Sequence, residues 1–193
     1  MFQVRIHGRG GQGVVSAAEM LSIAAFDEGR HAQAFPSFGS ERMGAPVMAF
    51  CRIDDREIRS REPVMAPDAL IIQDPTLLHQ VDLFSGLSKE GYILVNSTRD
   101  FEALGIGDLV RGLRKGHCCV VPASEIALKH VGRALPNAAL LGGFAAISEE
   151  ISLDAVCRAI RGKFPGKVGE ANAKAATEAY AVVMASMKEG AHA

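Results

Sequence analysis

Val4-Arg5-Ile6-His7-Gly8-Arg9-Gly10-Gly11-Gln12-Gly13-Val14 sets the fold of this chain. Val4-Arg5-Ile6 has strand character and a glycine-rich turn follows at once. From Val14 to about Glu28 the apolar positions Val14, Ala17, Ala18, Leu21, Ala24 and Ala25 recur at helical spacing. Gly29 is a suitable helix terminator. Gly8-x-Gly10-x-x-Gly13 satisfies the dinucleotide-binding pattern, and it stands between a strand and a helix as that pattern requires. Glycines let backbone approach a ligand closely, and the free amides and positive dipole end of a helix N-terminus favour an anion. Arg9 adds a full charge and Gln12 an amide. A classical dinucleotide site also needs an acidic residue about 20 positions on, at the end of the second strand. There the chain reads Phe35-Pro36-Ser37; Asp27 and Glu28 come earlier and Glu41 later. Three readings stay open on these residues: a nucleotide site, a tight turn with no ligand, and a site for another anionic ligand or a partner subunit.

Working outward, Ala32–Phe35 reads as a second strand ended by Pro36. Ser37 to Pro46 is a loop with two glycines between flanking prolines, and it carries Glu41-Arg42. Val47–Ile53 is a strand, Asp54-Asp55 a turn, and Glu57-Ile58 the returning strand of a hairpin. Further strands are expected at Ala69–Gln73, Tyr92–Asn96 and His117–Val121, with Asp74-Pro75 starting a short helix and Ser124 capping another to about Val131. The last third is helical: Pro136-Asn137 opens one helix, Ser152 a second and Glu170 to Met187 a third, with Phe164-Pro165-Gly166 as a break. Alternating strands and helices predict an α/β fold. The hairpin makes its sheet mixed but mainly parallel, with helices on both faces. The helical C-terminal third is placed on that same sheet, giving one domain over residues 1–193.

The composition is that of an ordinary globular protein, with 48% apolar and 22% charged residues among 193. A net charge of −1 provides no global field for nucleic acid or an anionic membrane. No stretch has the length of a membrane span, and Met1–His7 reads directly into a strand without a signal-peptide pattern. A reducing, cytoplasmic setting is expected for Cys51, Cys118, Cys119 and Cys157, which form no CxxC and no ligand spacing with histidine. Cys118 and Cys119 are expected on opposite faces of a strand. Such a set cannot hold a [4Fe–4S] cluster alone.

Loops that follow strand C-termini gather at one edge of an α/β sheet, so the glycine loop and the Ser37–Arg42 loop are expected to share an edge. Glu41 and Arg42 read either as ligand or subunit contacts or as a solvated ion pair of little energetic value. His7 beside the glycine loop reads as a packed, hydrogen-bonded histidine ahead of a ligand or partner contact, and Asp74 as a helix cap ahead of a functional residue at a strand C-terminus. His79, His117 and His130 show no metal spacing, and Met184 and Met187 belong to a packed helix face.

Two strings taken together carry a family resemblance. Ile6-His7-Gly8-Arg9-Gly10-Gly11-Gln12-Gly13-Val14-Val15 and Ala34-Phe35-Pro36-Ser37-Phe38-Gly39-Ser40-Glu41-Arg42-Met43-Gly44-Ala45-Pro46-Val47 resemble the gamma subunit of pyruvate and related 2-oxoacid:ferredoxin oxidoreductases. Asp74-Pro75-Thr76-Leu77-Leu78, Leu135-Pro136-Asn137 with Leu140-Leu141-Gly142, and Phe164-Pro165-Gly166-Lys167 extend the resemblance over nearly the whole chain. Met43 departs from it, standing where the family often has a second arginine. The resemblance implies a role in oxidative decarboxylation of a 2-oxoacid to its acyl-CoA. Thiamine diphosphate with Mg, [4Fe–4S] clusters and coenzyme A would serve that reaction in the complex, the first two held by other subunits. It implies alpha, beta and ferredoxin-like delta subunits as partners, and ferredoxin or another electron acceptor for the complex. On that reading this chain helps close the active site and accommodate coenzyme A, and Arg9, Gly10, Gly11, Gln12, Gly13, Ser37, Glu41 and Arg42 are its candidate binding residues. Arg9 and Gln12 would face the thiamine-bearing subunits. Rival readings are a stand-alone nucleotide-binding module and a purely architectural subunit.

Overall fold

The computed structural model describes residues 1–37 and 42–191. Strand β1 is Phe2–Arg9, helix α1 Val14–Asp27, β2 His31–Pro36, β3 Pro46–Asp54 and β4 Ala69–Ile72. A 3-10 turn at Pro75–His79 leads to β5 (Tyr92–Asn96), α2 (Gly107–Arg111) and β6 (Cys118–Val121). Helices α3 (Ala123–Val131), α4 (Asn137–Ser148), α5 (Leu153–Lys163) and α6 (Lys167–Ala191) complete the chain.

The strands form one sheet in the order β2-β3-β1-β4-β5-β6. β1, β4, β5 and β6 pair in parallel, while β3 is antiparallel to both β1 and β2. Every strand but β3 therefore runs in one direction, and the expected mixed, mainly parallel sheet is what forms. The hairpin expected across Asp54-Asp55 does not form. Glu57-Ile58 is irregular chain, and β3 lies instead between β1 and β2. The reason is burial. β3 gains continuous ladders on both sides, from Phe2↔Ile53 to Arg9↔Pro46 and from His31↔Asp54 to Pro36↔Ala49. A return through exposed Asp55, Arg56 and Glu57 would bury almost nothing.

Alternation along the strands sorts the side chains into two layers. Val4 and Ile6, Ala49, Cys51 and Ile53, Ala69 and Ile71, Leu94, Cys119 and Val121 share one core with residues of α1 and α3–α6. The opposite face carries a smaller cluster, Ile72, Ile93 and Val95 against Leu77 and Leu78 of the 3-10 turn and Leu104 and Ile106 before α2. Helices thus lie on both faces, unequally. Cys119 joins the first cluster and Cys118 packs on the second, on opposite faces as their adjacency requires.

The C-terminal third packs on the same sheet. α4 has no charged residue and is buried along its whole length, because it is enclosed by β5, β6, α6 and the flanking helices. Gly142 permits the tight α4–α6 crossing: a Cβ there would collide with the Ala176 carbonyl. Ser152 caps α5 by accepting from Ala155 N at 3.1 Å. Ser124 does not cap α3. Pro122 takes that position, and the Ser124 hydroxyl accepts from Asn96 Nδ2 at 2.8 Å.

Candidate functional site

The chain leaves β1 toward β2 and β3, and leaves β4 toward β5 and β6. The C-terminal ends of adjacent β1 and β4 are therefore the switch point at which open α/β sheets bind ligands. Three segments meet there: the glycine loop after β1, Gln73–Thr76 after β4, and Arg42–Ala45 entering β3.

Gly11 and Gly13 have φ of 92° and 69°, in the left-handed region that side chains disfavour. Gly13 is the N-cap of α1, and no side chain caps that end. Gly10 needs its missing Cβ for another reason. Its N–H donates to Ala45 O at 2.9 Å, its carbonyl accepts from Gly44 N at 3.1 Å, and a Cβ would collide with the Arg42 carbonyl. Arg42–Ala45, the described end of the second loop, thus lies directly on the first loop. The close approach that Gly10 permits is made by the chain's own backbone.

Arg9 and Gln12 are occupied within the chain. The Arg9 guanidinium donates from Nη2 to Thr76 Oγ1 at 2.8 Å and Gln80 Oε1 at 2.7 Å, and from Nη1 to Gly44 O at 3.1 Å. Its Nε lies 3.2 Å from Asp74 Oδ2. Gln12 Oε1 accepts from Arg9 N at 2.7 Å, and Gln12 Nε2 donates to Asp74 Oδ2 at 2.9 Å. Asp74 also caps the 3-10 turn, accepting from Thr76 N at 3.0 Å. Partial burial raises its pKa, but hydrogen bonds from Thr76 and Gln12 and the Arg9 charge outweigh that and hold it below the usual carboxylate value. Beneath this knot, Gln73 Nε2 donates to Gln12 O at 2.8 Å, while Gln73 Oε1 is buried with no hydrogen-bond partner among the described residues. Asn137, at the start of α4, donates to Gly13 O at 3.3 Å and fills the space a Gly13 Cβ would need.

Arg9, Gly10, Gly11, Gln12, Gly13 and Arg42 therefore come together, with Arg42 and Met43 exposed on the outside of the knot. Ser37 stands at the end of β2, donating from its backbone N to Met48 O at 2.8 Å, and lines a cavity on the opposite sheet face. Glu41 lies outside the described residues. Along the sequence Asp74 read as a cap first and a functional residue second, and Thr76, Gln73 and Asn137 were missed as partners of the glycine loop. Polar residues at strand ends, Gln73-Asp74 and Pro136-Asn137, were the available signal. The sheet order also speaks against a classical dinucleotide site. β3 stands between β1 and β2, so the end of β2 is two strand spacings, about 10 Å, from the glycine loop's strand.

The cysteines do not converge. Cys51 is on β3, Cys118 and Cys119 diverge on β6, Cys157 is on α5, and burial pushes the Cys51 thiol up to about 12 and the Cys118 thiol to about 11. Among the described residues no three metal-ligating side chains come together, so the residues present do not fit an iron–sulfur cluster in this chain.

Comparison with known proteins accords with this architecture. The family model described as pyruvate ferredoxin/flavodoxin oxidoreductase matches residues 3–182. A pyruvate synthase subunit PorC of Methanothermobacter thermautotrophicus is 47% identical over 180 residues, covering 93% of this chain and 94% of that one. A pyruvate/ketoisovalerate oxidoreductases common subunit gamma of Thermococcus kodakarensis is 44% identical over 182 residues, covering 93% and 96%. The crystal structure of a pyruvate oxidoreductase subunit PORC from Thermotoga maritima superposes with a TM-score of 0.78 at 38% identity, over 93% of this chain and 95% of that one. With that match running through the glycine loop, the sheet and most of the C-terminal helices, the chain belongs to the pyruvate ferredoxin/flavodoxin oxidoreductase family.

Proposed function

We propose that this chain is the gamma subunit of a multi-subunit 2-oxoacid:acceptor oxidoreductase. The complex oxidatively decarboxylates a 2-oxoacid to its acyl-CoA and passes the electrons through iron–sulfur clusters to ferredoxin or another acceptor. The observation that carries this reading is the nearly end-to-end match, at 44–47% identity, to subunits named as parts of such enzymes. The whole chain acts as one gamma domain in the cytoplasm, against alpha, beta and ferredoxin-like delta partners. Thiamine diphosphate, Mg and the clusters belong to those partners.

The sheet edge is the surface that meets the active site. Coenzyme A, when bound, brings the acyl-accepting thiol and an anionic phosphate tail. The uncapped first amides of α1 and the exposed Arg42 are the groups of this chain suited to that tail. Arg9 and Gln12 act behind them, as positioning residues that hold the loop pair in register through Asp74 and Thr76.

One observation favours a purely architectural role: Arg9 and Gln12 spend their hydrogen bonds inside the chain. Kinetics of the complex reconstituted from this chain and its co-expressed partners separates the two. Arg42→Ala is expected to raise the KM for coenzyme A about tenfold, the loss of one charge-assisted contact. Subunit stoichiometry and KM for the 2-oxoacid stay unchanged. An unaltered coenzyme A KM, or loss of this subunit from the complex, would hand the edge to the architectural reading.

A further inference from the structure

The sheet face away from α1 and α4 holds a cavity of about 530 Å³. Met48 and Phe50 of β3, Val64, Leu77 and Leu83 give it apolar walls, and Arg5 and His7 of β1 also line it. Arg5 and His7 sit at the odd positions of the central strand and are only 6% and 5% exposed. Neither takes part in the knot at the sheet edge.

Arg5 is a buried cation without a carboxylate among its hydrogen-bond partners. Its Nη2 donates to Leu83 O at 2.7 Å and Ser85 O at 2.8 Å, its Nη1 to Val64 O at 3.3 Å, and its Nε to His7 Nε2 at 3.1 Å. Asp82, the acid whose charge reaches it, lines the same cavity but is exposed, so solvent screens it, and it makes no hydrogen bond to the guanidinium. A buried charge met only by neutral acceptors leaves a positive field in the space beside it.

His7 accepts at Nε2, so its proton is on Nδ1. Nδ1 makes no hydrogen bond with the described residues. Burial, and then the Arg5 charge, hold its pKa down to about 3, so the ring is neutral and this donor persists at ordinary pH. The cavity therefore joins apolar walls, one N–H that the described residues leave unspent and a cationic field, in a volume typical of small-molecule sites, roughly 300–1,000 Å³.

We propose that this cavity binds a small monocarboxylate with an aliphatic or aryl body, the carboxylate received by His7 Nδ1–H in the field of Arg5 and the body by Phe50, Val64 and Leu83. The site is separate from the edge assigned to coenzyme A, and the inference stands whether or not that assignment holds.

Titration calorimetry of the full-length chain at pH 7 with 4-phenylbutyrate, 4-phenyl-1-butanol and 4-phenylbutylamine tests it. The carboxylate is expected to bind at least tenfold tighter than the alcohol, and the amine weakest of the three. Met48→Trp, opposite His7 in the β1–β3 register, fills the cavity and should abolish binding of both acid and alcohol. Ser85→Asp changes an exposed lining residue whose carbonyl holds Arg5, and should weaken the acid at least tenfold while leaving the alcohol as it was. Equal affinity for acid and alcohol would reduce the feature to an unspecific apolar cleft and overturn the proposal. So would undetectable binding of the acid, or acid binding that survives Ser85→Asp undiminished.

Discussion

His7 shows how a single side chain in the central strand ties stability to pH. Its pKa falls from 6.5 to about 3 on folding because burial, then the neighbouring Arg5, disfavour the imidazolium. A base depressed in this way binds protons more readily in the unfolded chain, so stability rises with pH across the window between the two values. Its contribution is complete above pH 6.5 and is lost as the pH falls toward 3. At pH 4 the loss amounts to about 3 kcal/mol. Denaturant melts of the wild type and His7→Gln between pH 7 and pH 4 should show the variant with the flatter dependence; parallel curves would mean that the ring is not held neutral. Asp74 works in the opposite chemical sense with the same sign. As an acid held below its ordinary 3.8 by its partners, it adds stability above that pH and loses it as the pH falls through its folded value. Asp74→Asn keeps an acceptor for the Thr76 amide but removes the charge facing Arg9, with 13% of the Asp74 side chain exposed. A loss of about 1–2 kcal/mol is expected, read as a lower denaturation midpoint at neutral pH that closes on the wild type below pH 4.

Among the elements, α4 is the one whose geometry tolerates least. All of its residues are buried, and it crosses α6 so closely that Gly142 and the Ala176 carbonyl share the space a Cβ would take. The obstacle is backbone, which cannot rotate away, so Gly142→Ala must separate the helices. Helix propensity alone would favour alanine by about 1 kcal/mol. The overpacking cost runs in the other direction at about 1–3 kcal/mol or more, and it wins because α6 closes the core over β6 and α3. A lowered melting temperature for Gly142→Ala is the expected result. An exposed control, Gly162→Ala in α5, meets nothing within 4 Å and should be neutral or slightly stabilising. A stabilised Gly142→Ala would show that the α4–α6 contact has slack.

For the molecule as a whole, the residues sort into a sheet with a thick helical layer on one side and a thin, partly polar one on the other. No helix among the described residues is long and apolar enough to cross a membrane. The reading as a subunit predicts that the purified chain is colourless, retains no iron and turns over no 2-oxoacid, and that activity appears on addition of the thiamine-bearing and cluster-bearing partners. Absorbance near 400 nm with stoichiometric iron in the isolated chain, or its own 2-oxoacid-dependent dye reduction, would require a different account of the family match.

Much of this was legible along the chain. The strand–glycine loop–helix opening, the helix stop at Gly29, the break at Phe164-Pro165-Gly166 and the divergence of Cys118 from Cys119 are local consequences of periodicity, backbone freedom and the two-residue alternation of a strand. Arg42–Ala45 also meets the glycine loop, because both flank strands whose direction the α/β pattern implies. Other features had no local signature. That β3 enters between β1 and β2 depends on which pairing buries more ladder, a comparison between distant segments. That Arg9 spends its charge on Asp74, Thr76 and Gln80 depends on β4 lying beside β1. That Asn137 closes on Gly13 across 124 positions depends on α4 running beneath α1. Nothing along the chain set Arg5 apart, and only the loops at Val64 and Leu83 folding over it made it a buried cation beside a cavity. The sequence by itself determined most of the elements, though not the fate of Glu57-Ile58, and the family to which they belong, because backbone preference and periodicity act over a few residues. Tertiary structure alone decided which polar groups the protein satisfies internally, because hydrogen bonding and desolvation are settled by neighbours far away in the chain.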